Sequence, residues 1–113
     1  MKFLMLVQGE PDLDLPPETD SDVATWVKKV DEAGSRIIGD RLAPPTDSVV
    51  VRVRDGAVLR TDGPFAEARE FIGGFDILEA PDMDAAVAIA AEHPLAAHVS
   101  LEIRPFWPLF PEG

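Results

Sequence analysis

Hydrophobic positions fall in short extended bursts and two longer stretches of helical period, separated by breaks rich in proline and glycine. Residues 2–8 are apolar on both alternating sets, the pattern of a strand covered on two faces. Residues 9–18, with Gly9, Pro11, Pro16 and Pro17 among acids, break both periodicities and predict a surface loop. Thr19 and Asp22 have the spacing of a capping box, and Val23, Trp26, Val27, Val30 and Ala33 follow at helical spacing up to a stop at Gly34. Trp26 lies in that stripe and reads as a core or interface residue. Residues 36–45 form a short extended segment that Pro44 and Pro45 halt. Residues 47–54 and 57–62 read as two strands joined by an Asp55-Gly56 turn. That turn pairs Val53 with Val58, Val51 with Arg60 and Val49 with Asp62, a face greasy near the turn and charged at its far end.

Residues 71–79 predict another strand, with a bulge or close backbone approach at Gly73-Gly74. Asp82 is a suitable N-cap for an alanine-rich helix over 83–93, which Pro94 ends. Residues 98–104 give the last strand, with Val99, Leu101 and Ile103 on one face and Ser100, Glu102 and Arg104 on the other. The tail, 106–113, is too proline-rich for regular structure and too aromatic to be left in water, which predicts packing on its own subunit or on a neighbour. The order is that of an α+β, ferredoxin-like βαββαβ sheet with helices on one face, a single domain over 1–105 with an extra short segment after the first helix. Since the first strand is apolar on both faces, the uncovered side of the sheet needs another layer. A second copy is the simplest source, so a homodimer with two sheets face to face is expected.

Composition narrows the function. The 113 residues suffice for one core, and 46% hydrophobic with 27% charged residues is a globular balance. A net charge of -11 opposes general binding to nucleic acid or anionic lipid, so neither is an expected partner. Without cysteine there is no disulfide framework, thiolate nucleophile or Cys-type zinc site, and His93 and His98 are too few for an all-histidine metal site. The apolar run from Phe3 to Val7 is too short for a signal peptide or a membrane span, so a cytoplasmic location is expected. No phosphate loop, Walker motif or nucleophile elbow points to a cofactor, and none is expected.

The most informative stretch is Arg60-Thr61-Asp62-Gly63-Pro64-Phe65. As architecture, Asp62 ends a strand at a corner, Gly63 turns the chain, Pro64 suits a first helical turn and Phe65 plugs the corner from beneath. As chemistry, Asp62 sits at a pocket edge where burial raises its pKa and Arg60 lowers it, the setting of a general base. His93, in line with Ala86, Ile89 and Ala90, reads as a half-buried side chain at a helix C-terminus or, alternatively, as a proton shuttle. His98 reads as a strand-end residue near solvent. Six of the seven arginines lie between Arg36 and Arg69. Either Arg52 and Arg54 decorate an exposed hairpin and Arg104 pairs with Glu102, or Arg60 and Arg104 receive the anionic group of a small metabolite.

The chain resembles the DGPF-containing branch of the YCII-related proteins. The resemblance rests on the opening Met-Lys-Phe-Leu-Met-Leu, Val-Arg-Val-Arg-Asp-Gly, Thr-Asp-Gly-Pro-Phe-Ala-Glu, Gly-Gly-Phe and the closing Val-Ser-Leu-Glu-Ile-Arg-Pro. It implies a dimeric α+β barrel and, through the association of this branch with extracytoplasmic-function sigma factors, a regulatory partner. The better-known members carry a histidine on the first helix and an aspartate before a proline near the end of the second. Here those positions fall at or near Val23 and at His93-Pro94, so the family's acid–base pair is not carried over. Two functions follow. The first is a dimer that binds a small molecule, with Arg60, Gly63, Pro64, Phe65, Glu102 and Arg104 as ligand contacts, or that serves as an accessory protein. The second is a cofactor-free lyase, isomerase or hydrolase using Asp62 with His93 or Glu102 as acid and base.

Overall fold

The computed structural model describes residues 1–10, 13–63 and 71–110. Strand β1 (Lys2–Gly9) buries Phe3, Met5 and Val7 on one face and leaves Leu4, Leu6 and Gln8 half-buried on the other. This is the two-sided use that its continuous apolar run predicts. Helix α1 (Thr19–Glu32) turns Trp26 and Val30 into the core. The capping box does not form: Glu18 is the N-cap with no side-chain bond, and Thr19 is buried, its hydroxyl donating to the Pro16 carbonyl at 2.7 Å. The helix ends as Gly34 predicts. With Gly34 at φ 72°, its N–H donates to Asp31 O and that of Ser35 to Val30 O, closing the last turn.

The segment after Gly34 corrects the sequence reading. Arg36–Arg41 is not an extra piece but strand β2, an edge member of the main sheet. The hairpin β3 (Val49–Arg54) and β4 (Ala57–Asp62) forms a separate two-stranded sheet. Its register pairs Val53 with Val58, Val51 with Arg60 and Val49 with Asp62, and Asp55 and Gly56 both take positive φ, as a tight two-residue hairpin turn requires. Strand β5 (Phe71–Glu79), helix α2 (Met83–Ala91) and strand β6 (Leu101–Pro105) complete the chain. The main sheet runs β2-β5-β1-β6, all antiparallel, the ferredoxin-like order. Opposite β1 the register jumps from Val7–Gly74 to Gln8–Ile72, so Gly73 is the extra residue of a bulge. Asp82 caps α2 by accepting from the Ala85 N–H at 2.8 Å. The last strand starts later than its alternation suggests, because residues 94–97 form a 3-10 turn and Val99 N–H closes back on Leu95 O.

Both helices lie on one face, over a core of Phe3, Met5, Val7, Trp26, Val30, Leu78, Ala80, Ala86 and Ala90. The other face carries two rows of paired residues, Ile38-Ile77-Leu4-Arg104 and Asp40-Phe75-Leu6-Glu102. No described helix covers these rows. Beyond β6, Trp107 at 95%, Leu109 at 91% and Phe110 at 78% accessibility are exposed, so these three side chains do not pack on their own subunit. The slab is only 19 Å thick along its shortest axis. Its radius of gyration, 16.3 Å, exceeds the roughly 13 Å of a compact chain this long. Among the described residues no helix is long and apolar enough to cross a membrane.

Candidate functional site

Where β2 gives way to the hairpin, Leu42 N–H donates to Gly73 O at 2.9 Å, which ties the connection to the start of β5. Pro44 then holds an extended conformation and Pro45–Asp47 form a 3-10 turn, as the two prolines dictate. Ser48 Oγ donates back to Pro45 O, and Gly63 N–H donates to Ser48 O at 2.8 Å. The corner after Asp62 is thereby fastened to this turn. Between the turn and β5 lies a half-open hollow of about 330 Å³, lined by Leu42, Ala43, Pro44, Pro45, Asp47, Ser48, Phe71 and Ile72.

The lining is largely hydrocarbon, with one carboxylate and one hydroxyl among the described residues. Ile72 pairs with Gln8 on the uncovered face and Phe71 with Gly9 on the covered one, so the hollow lies at the end of the sheet and belongs to neither face alone.

Among the described residues, those singled out in the sequence are not gathered into one site. Arg60 and Asp62 lie exposed on β4, opposite Val51 and Val49. Gly63 abuts the hollow through Ser48, and Pro64 and Phe65 lie outside the described residues. Glu102 and Arg104 are exposed on β6 and bonded to each other at 2.8 Å. Arg52 and Arg54 are exposed on the hairpin, and His98 sits in the turn before β6. His93 is buried in the helix layer, its ring 4.6 Å from that of Trp26. It caps the 3-10 turn that follows, Nδ1 accepting from Leu95 N–H at 3.0 Å. Burial lowers its pKa and keeps the imidazole neutral. Trp26 Nε1 donates to Ile89 O at 3.1 Å, so both rings serve the α1–α2 junction. Among the described residues no group of three or more metal-ligating side chains converges.

A buried ion pair escaped the sequence reading. Arg36 Nε donates to Asp76 Oδ1 at 2.6 Å, and its terminal nitrogens reach Asp31 at 3.1 Å and Gly39 O at 2.7 Å. A side chain at Gly39 would collide with the Asp76 carboxylate, so glycine there makes room for the pair. Burial pushes the Asp76 carboxyl up, more than the Arg36 hydrogen bond pulls it down. Burial also opposes the Arg36 charge, but the hydrogen bonds to Asp76 and Asp31 outweigh it and raise its pKa. The pair fastens edge strand β2 to β5 and to the end of α1. Its one signal in the sequence is a lone acid inside the apolar run Phe75-Asp76-Ile77-Leu78.

The fold matches a solved structure, the 5-chloro-2-hydroxyhydroquinone dehydrochlorinase TftG from Burkholderia phenoliruptrix AC1100 in complex with 2,5-dihydroxybenzoquinone. The TM-score is 0.58 over 95% of this chain and 94% of that one, at 14% identity. An uncharacterised protein of Rhizobium meliloti (strain 1021) is 33% identical over 86 residues, covering 74% of this chain and 69% of the relative. The model of the YCII-related domain matches residues 1–109, nearly the whole of the sequence whose motifs carried the resemblance. With an α+β fold of ferredoxin-like order beneath that match, the chain belongs to the YCII-related family.

Proposed function

We propose that the protein is a small-molecule-binding homodimer, its two sheets packed through their uncovered faces and a ligand held in the hollow of each subunit. The observation that carries the reading is the hollow itself, an apolar cleft at the end of the sheet, beside the corner that follows Asp62. About 330 Å³ falls at the small end of ligand-pocket volumes. Leu4, Leu6, Phe75 and Ile77 form the apolar centre of the face that pairing would bury. A neutral, flat, hydroxylated ring suits the described lining better than an anionic metabolite, because Asp47 stands at the hollow and Arg60 and Arg104 do not.

Binding is favoured over catalysis by what the candidate acids and bases already do. His93 Nδ1 is engaged by Leu95, and Glu102 is paired with Arg104. A thermal-shift screen of small hydroxylated aromatic compounds and acidic metabolites tests the reading. A stabilising compound is expected whose effect is lost in Ile72→Glu, which puts a charge in the hollow, and kept in Arg60→Ala. A compound whose effect survives Ile72→Glu and vanishes in Arg60→Ala would move the site to the hairpin. No stabilising compound at all would favour a regulatory protein partner instead, of the sigma-factor kind that the family resemblance implies.

A further inference from the structure

The hairpin of β3 and β4 is an element that its own subunit leaves bare. It is fastened at its base, where Gly63 N–H donates to Ser48 O, and has no extensive contact with any described helix or strand of the main body. Every residue of its two strands except Val50 is exposed. At 19 Å the slab has room for the sheet and one helix layer, so the ribbon does not fold back as a third layer over the uncovered face.

The ribbon has two unlike faces. Near the turn, Val51, Val53 and Val58 are 62%, 58% and 70% exposed and lie side by side on one face, while Arg52 and Arg54 stand on the other. Two strands alone are marginally stable in water, and a contiguous apolar strip on them marks a surface made to be covered.

Charge indicates what covers it. Residues 49–62 hold three of the chain's ten basic residues, Arg52, Arg54 and Arg60, and only two of its 21 acidic ones, Asp55 and Asp62. Among the described residues no carboxylate forms an ion pair with these arginines. The rest of the chain is therefore even more acidic than the net charge of -11 conveys, and it is the natural complement of a valine-and-arginine ribbon. A second copy seated on the uncovered face brings that acidic body within reach whichever way round it sits. The ribbon is rooted at the end of the sheet and its six-residue strands are about 20 Å long, against the roughly 10 Å between packed sheets.

We infer that the hairpin is a docking arm that closes on the acidic body of a second copy of this chain. The inference rests on the dimer reading above and adds to it a contact outside the sheet faces, so that the subunits are clasped as well as stacked. The arm acts on association and not on the fold of one chain, to which its strands contribute no buried residue.

Val51→Asp combined with Val58→Asp should leave the far-UV circular dichroism unchanged and weaken the dimer about tenfold or more in sedimentation equilibrium, the scale of two valine burials lost. Arg52→Glu with Arg60→Glu spares the valines and should weaken it as well. Trypsin reads the covering directly. Cutting after Arg52 and Arg60, mapped by mass, should be slow in the wild-type dimer and fast in Leu6→Glu, the monomer that the dimer reading expects, at the same protein concentration. A wild-type dimer whose affinity is unchanged in both ribbon variants, or whose ribbon is cut as fast as that of Leu6→Glu, overturns the inference and leaves the face-to-face dimer standing. A wild-type chain that sediments as a monomer removes the dimer reading and the arm with it.

Discussion

The two faces of one sheet are built from the same strand and meet opposite fates. Phe3, Met5 and Val7 are sealed under α1 and α2 within a single chain, while Leu4 and Leu6, alternating with them along β1, look out from a face that no described helix covers. The covered face of the sheet is largely hydrocarbon, its charges confined to Asp76 and the Arg36 that answers it. The uncovered face keeps its charges on the edge strands, Asp40 on one side and Glu102 with Arg104 on the other, around an apolar centre that Ile38 extends to the β2 edge. An apolar centre with a charged rim is the composition of an interface rather than of a core. Stability should therefore reside on the first face and association on the second.

Substitutions separate the two. Phe3→Ala should cost about 3–5 kcal/mol in chemical denaturation, the usual loss for a fully buried aromatic. A loss below about 1 kcal/mol would mean that the covered face is not the core. Asp76→Ala strands Arg36 without its buried partner and should cost about 3 kcal/mol, part of which a second change, Arg36→Met, should restore. On the other face, Leu6→Arg should leave the far-UV circular dichroism unchanged and convert the dimer to monomer in light scattering. Global unfolding of that variant would erase the distinction between the faces.

A smaller effect comes from His93. Its folded pKa lies below the ordinary 6.5, so the unfolded chain takes up the proton first. The stability that this neutral imidazole contributes is complete above about pH 6.5 and is lost as the pH falls from there through the folded value. His93→Asn keeps an acceptor for Leu95 N–H and removes the titration. The melting temperature of wild type should fall more than that of the variant between pH 7 and pH 5. The smallest effect is expected on the hairpin, where Val53→Thr should stay within about 0.5 kcal/mol of wild type, because Val53 is exposed.

The parts of the fold that were legible in the sequence are those set by neighbours in the chain. The Asp55-Gly56 turn fixed the hairpin register, Asp82 announced α2, and the Gly73 bulge followed from adjacent glycines in an apolar run. Membership of the main sheet is a different kind of fact. Whether residues 36–41 or the hairpin strands lie beside β5 depends on partners about forty positions away, and the exposed Ile37 and Ile38 gave the segment no alternation to read. The Arg36–Asp76 pair is hidden for the same reason. So is the hollow, whose walls come from two separated stretches and whose corner is held by Gly63 from a third. Thr19 had the spacing of a cap but turned its hydroxyl back to Pro16, because the prolines before it set the entry of the chain.

The mass of the wild-type chain in solution tests the division of labour between the faces most directly. Sedimentation equilibrium across the micromolar range should give twice the chain mass of 12.3 kDa, falling to one chain mass in Leu6→Arg with the fold intact. A wild-type chain that sediments as a stable, folded monomer throughout that range would contradict the account.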